Sequence, residues 1–61
     1  MKVPEVIRLL EAAGWAQMRQ RGSHRQFKHP GKRGLVTVPG RPNEELATGT
    51  LNSVMKQAGL K

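Results

Sequence analysis

The sequence predicts an α+β domain of order α-β-β-β-α, a three-stranded antiparallel sheet with two helices on one face. Three observations carry that reading. Apolar residues recur at three- and four-residue spacing near both ends of the chain. The middle holds short segments free of Gly and Pro, separated by turn residues. With 61 residues there is no room for a second domain, a full dinucleotide-binding sheet or a barrel.

Val3, Val6, Ile7, Leu10 and Ala13, with Pro4 near the start and Gly14 as a stop, predict a first amphipathic helix. Trp15–Arg21 and His24–His29 flank Gly22-Ser23, and Gly at the first central position suits a type II′ hairpin turn. Leu35–Val38, between Gly34 and Pro39-Gly40, reads as a third strand. Leu51, Val54, Met55 and Ala58 predict a second helix, entered through Thr48-Gly49-Thr50 and closed by Gly59. Glu44-Glu45-Leu46 reads as a turn before it.

A chain this short buries only roughly 60% of its unfolded surface. Without cysteine it has no disulfide and no thiolate zinc site to support it, so a partner or a dimer interface is expected to contribute to its stable state. Charge and proline break the first residues too early for a signal peptide, and no apolar run reaches transmembrane length. No membrane partner is expected.

The formal net charge is +7, and all of it lies in residues 15–41. Arg19, Arg21, Arg25, Lys28, Lys32, Arg33 and Arg41 fall there without a single acid, while the segments on either side each sum to zero. A solvated face is the ordinary alternative; the one-sided segment favours a polyanion site, nucleic acid above all.

A two-residue turn at Gly22-Ser23 sets Arg21 opposite His24, Arg19 opposite Gln26, Met18 opposite Phe27 and Gln17 opposite Lys28. Alternation then puts Ala16, Met18 and Phe27 under the helices. Gln17, Arg19, Arg21, His24, Gln26 and Lys28 take the open face. Trp15 falls by parity on that face too, but at a strand end it is expected to wrap over the edge of the core.

His24 stands out among these cations. A neutral imidazole beside guanidinium groups can remove a proton from a ribose 2′-OH while the cations hold the phosphate. His29 falls on the other face, so the two histidines do not form an acid–base pair, and as metal ligands they make a weak site. Nothing in the sequence implies a cofactor or a metal.

Gly22-Ser23-His24 with Phe27, then Val36-Thr37-Val38-Pro39, then Gly49-Thr50-Leu51 and Lys56-Gln57-Ala58-Gly59-Leu60, resemble the HicA family of mRNA interferase toxins. Ile7, Leu10 and Gly14-Trp15 are similar to that family's opening of helix, glycine and aromatic. The resemblance covers nearly the whole chain and implies a single toxin domain over residues 1–61, with a fold like that of double-stranded-RNA-binding domains. It implies a cytoplasmic, metal-independent endoribonuclease that cleaves mRNA with His24 as general acid or base. It also implies a HicB-type antitoxin that binds over the active surface. Arg41 stands in the region where many members carry a second histidine; it can stabilise phosphate charge but cannot act as an acid at neutral pH.

On this expectation His24 is catalytic, Arg19, Arg21 and Lys28 position phosphate, and Arg25, Lys32, Arg33 and Arg41 extend the groove along the RNA backbone. The same residues also allow a non-catalytic RNA-binding module, in which His24 only hydrogen-bonds phosphate or 2′-OH. A third reading is a small subunit that binds a protein partner and never meets free RNA.

Overall fold

Pro4, with its fixed φ and missing N–H, suits the first turn of a helix, and the Glu5 carboxylate accepts the Lys2 backbone N–H at 3.1 Å. Helix α1 (Val3–Ala12) follows in this computed structural model, which describes residues 1–61. It buries Val3, Val6 and Leu10, the stripe that the spacing predicts. Gly14, at φ +96°, ends it: Gly14 N–H donates to Glu11 O and Trp15 N–H to Leu10 O. These two bonds form a Schellman cap. Helix α2 (Thr48–Gln57) ends the same way, through Gly59 N–H to Lys56 O and Leu60 N–H to Met55 O.

Strands β1 (Ala16–Arg21), β2 (His24–Lys28) and β3 (Val36–Val38) form one antiparallel sheet in the order β1-β2-β3. The expected α-β-β-β-α order is therefore observed, with Leu35 left just outside β3. Gly22 has φ +59° and no non-glycine residue has positive φ, as a type II′ turn requires. Arg21 pairs with His24 and Arg19 with Gln26, as the turn predicts.

Beyond Arg19 the expected register fails. A bulge leaves Met18 unpaired, so Gln17 lies opposite Phe27 and Ala16 opposite Lys28. Met18 is 52% exposed rather than buried, and Ala16 is exposed as well. Every β1 residue is exposed, because the core ends at β2 and no helix covers this outer strand. Gln17, which shares Phe27's side of the ladder, also leaves the predicted polar face.

The core gathers Val3, Val6, Leu10, Trp15, Phe27, Val36, Val38, Leu46, Val54 and Ala58. Leu46 arrives by a route that local pattern does not show. Glu44-Glu45-Leu46 does not form a turn; it runs alongside the N-terminus as a short antiparallel bridge. Val3 N–H donates to Glu44 O and Leu46 N–H to Met1 O, each at 3.0 Å, and the Met1 ammonium pairs with Glu45.

Trp15 packs into the core, as expected at a strand end, with its ring edge-on to His29 at 5.3 Å. His29 Nδ1 accepts the Gly31 N–H at 2.9 Å, which requires the proton on Nε2, and Nε2 donates to Ala13 O at 3.1 Å. This histidine thus latches the end of β2 to the end of α1. A Cβ on Gly14 would lie 2.6 Å from His29 Nε2. Gly14→Ala is accordingly expected to lose roughly 2 kcal/mol or more, from positive φ and the clash together, read as a shift of the urea midpoint.

Candidate active site

Strand β2 is the centre of the sheet, and its alternation divides the site from the core. Arg25 and Phe27 point to the buried side with their partners Val38 and Val36. His24 and Gln26 point the other way, with Thr37 across from Gln26. His24 is the first residue after the Gly22-Ser23 turn and is exposed. Arg21, its cross-strand partner, and Arg19, the partner of Gln26, share its face.

The second wall comes from α2. Thr37 N–H donates to Gln57 Oε1 at 3.4 Å, so the helix lies along the outer edge of β3. Between sheet and helix runs a hollow of about 430 Å³, lined by His24, Thr37 and Pro39 on one side and by Gly49, Thr50, Ser53, Val54 and Gln57 on the other. The α2 N-cap is Ala47, which offers no side-chain acceptor, and the first turn carries no acid. Its leading N–H groups therefore keep their partial positive charge at the rim of the hollow. No carboxylate lines it.

The predicted basic residues divide into three sets. Arg19 and Arg21 are exposed beside His24, and Lys28 is exposed at the far end of β2. Arg33 and Arg41 are exposed in the loops before and after β3, with Arg41 O accepting the Glu44 N–H. Lys32 is also exposed, but its ammonium donates to Ala58 O at 3.2 Å and so caps the C-terminus of α2.

Arg25 departs from the expectation altogether. It is 6% exposed, the one charged side chain in the interior, and cannot extend a surface groove. The reason is parity: it lies between His24 and Gln26 and must share Phe27's side. None of the seven cations of residues 15–41 meets a carboxylate, since the only ion pair joins Met1 and Glu45. The acid-free segment of the sequence is acid-free in space as well.

The histidines stay apart, and no group of three or more His, Cys, Asp or Glu side chains comes together to hold a metal ion. No helix is long and apolar enough to cross a membrane. Sequence reasoning missed the α2 wall. Gly49, Thr50, Ser53 and Gln57 form a stripe opposite Leu51, Val54, Met55 and Ala58, which reads as the ordinary solvated side of an amphipathic helix.

The family described as the HicA toxin of bacterial toxin-antitoxin matches residues 3–60. A solved structure described as "HicA3 and HicB3 toxin-antitoxin complex" superposes with a TM-score of 0.81 at 35% identity, covering 100% of this chain and 97% of that one. A "Toxin-Antitoxin complex from Streptococcus pneumoniae" superposes with a TM-score of 0.82 at 36% identity, covering 98% of each chain. None of the curated proteins matches the chain.

Proposed function

The chain belongs to the HicA toxin family, and on that premise we propose that it is an mRNA interferase: a metal-independent endoribonuclease in which His24 moves the proton, held silent by a HicB-type antitoxin. The observation that carries this reading is the exposed imidazole of His24 at the mouth of a hollow, with two unpaired guanidinium groups on its own face.

In this reading Arg19 and Arg21 hold the RNA phosphates, and Lys28, Arg33 and Arg41 attract the backbone farther out. Phosphate at the scissile position sits between the imidazole and the first turn of α2, where free N–H groups and the Thr50 and Ser53 hydroxyls can donate to it. His24 takes the proton of the ribose 2′-OH, the 2′-oxygen bonds to phosphorus, and the P–O5′ bond breaks. The proton returns to the departing 5′-oxygen, giving a 2′,3′-cyclic phosphate and a 5′-OH. Positioned cations stabilise the charge that grows on the phosphoryl oxygens. With no carboxylate in the lining, the proton transfer rests on the imidazole itself.

A +7 protein whose basic side chains lack carboxylate partners suits an acidic or shape-matched antitoxin surface as readily as RNA. The structural relatives are toxin–antitoxin complexes, which supports such a partner. The work proposed is cytoplasmic, where mRNA is found.

The test is cleavage of a single-stranded RNA by purified chain in the presence of EDTA, beside RNA affinity measured across salt concentration. Cleavage is expected. Joint replacement of Arg19 and Arg21 by Ala is expected to lower the slope of log K against log salt by about 1.4, two single-strand phosphates' worth. A clean, folded wild type that binds RNA without cutting it would leave the non-catalytic module standing.

A further inference from the structure

Arg25 is a cation in the core without an anion. The residue is 6% exposed and no carboxylate lies within ion-pair distance of it. Nη1 instead donates to Gly40 O at 2.9 Å and, more weakly, to Ser23 O at 3.4 Å. A buried charge compensated only by carbonyl dipoles is a poor stabilising device, and an apolar side chain of similar volume often serves a core as well or better. Its position offers the physical account.

The two carbonyls belong to the two backbone segments behind the candidate site. Ser23 immediately precedes His24, and Gly40 immediately follows Pro39, and His24 and Pro39 stand together in the lining of the hollow. Gly40 is itself fixed. Its φ is +100°, and a Cβ there would lie 3.2 Å from Glu44 Oε2, 3.3 Å from Val3 Cγ2 and 3.4 Å from Leu46 Cδ2. One guanidinium therefore ties the turn that carries His24 to a loop seated on the core.

That tie falls at the hairpin tip, just beyond the last rung of the β2–β3 ladder at Arg25 and Val38. His24 begins β2 at the tip of the hairpin, and its neighbour β1 is exposed along its whole length. Gln20 Nε2, which donates to Gly22 O at 3.1 Å, braces the turn only from within the hairpin. Arg25 is the side chain that joins this turn to the rest of the fold.

We infer that Arg25 is a positioning residue for RNA cleavage, holding the His24 imidazole against Pro39 and the first turn of α2 without touching RNA. The inference rests on the reading of His24 as the group that moves the proton. The two N–H groups of Nη1, at the end of a long side chain, can serve both carbonyls at once, which an apolar chain cannot do.

Arg25→Met and Arg25→Lys test this in the full chain. Three quantities are read: the single-turnover cleavage rate, affinity for a 2′-O-methyl RNA that cannot be cut, and His24 imidazole and amide signals by NMR. Arg25→Met is expected to cleave about 10- to 100-fold more slowly, the scale of a misplaced catalytic group, with affinity changed less than about twofold. Arg25→Lys is expected to recover part of the rate. Should the Met variant not fold, the Lys variant carries the same readouts, a lowered rate at kept affinity.

Wild-type cleavage by a folded Arg25→Met chain would overturn the inference. So would a rate and an affinity that fall together in proportion, or His24 signals that stay where they are. If wild type cuts no RNA, the catalytic reading of His24 fails on its own. The NMR signals then decide the positioning claim: displaced or broadened in the Met variant they support it, and unmoved they refute it.

Discussion

His24→Ala is expected to slow RNA cleavage by about 10²–10⁴-fold, the contribution of one positioned acid–base group. The fold should not notice. His24 is exposed, its imidazole makes no hydrogen bond within the protein, and it belongs to the side of β2 that the core does not use. Affinity for RNA is expected to stay within a few-fold, because Arg19, Arg21 and the loop cations supply the phosphate contacts and remain in place. Cleavage and binding must be measured on the same preparation, with the thermal midpoint as a control. Wild-type cleavage by His24→Ala would remove the residue from the chemistry. A parallel loss of cleavage and affinity would make it a binding group instead.

The second large effect concerns stability, three residues along the same strand. Phe27 is fully buried at the centre of the sheet, opposite Val36 and amid the α1 and α2 contacts of the core. Phe27→Ala is expected to cost about 3–5 kcal/mol, from lost transfer energy and the cavity left behind. A domain of this size has roughly 3–9 kcal/mol in total. The variant is thus expected to be largely unfolded alone, by circular dichroism and urea titration, and to regain structure when its antitoxin is supplied in excess, since ligand binding to the native state shifts the balance. A cooperative transition at the wild-type midpoint would show that the core does not depend on this ring.

These two residues also show what was legible beforehand. A turn at Gly22-Ser23 and an alternating strand suffice to put His24 outward and Phe27 inward, and the structure does so. The same parity already places Arg25 beside Phe27, yet a guanidinium reads as surface until its carbonyl partners are known. Those partners, Ser23 and Gly40, are fixed by tertiary structure. The helices were legible because glycine punctuation and three- to four-residue spacing are local signals. The bulge at Met18 was not, since Gln17-Met18-Arg19 alternates as well with an extra residue as without one. Pairing of residues 44–46 with the N-terminus was hidden for the same reason: contacts between distant segments leave no mark in the spacing of either. Half of the candidate site was missed because the α2 wall is made of small neutral residues, whose pattern says only that they avoid the core.

Trp15 has a practical bearing of its own. The chain has one tryptophan and no tyrosine, so its near-ultraviolet emission arises from a single indole. That ring is sealed in the core against His29, at the end of the hairpin remote from His24, roughly 17 Å along a strand of this length. Intrinsic fluorescence is therefore a gauge of whether the domain is assembled, and is blind to an occupant at the opposite tip. Denaturation can be followed without a label, whereas occupancy of the His24 tip calls for a dye placed on the oligonucleotide.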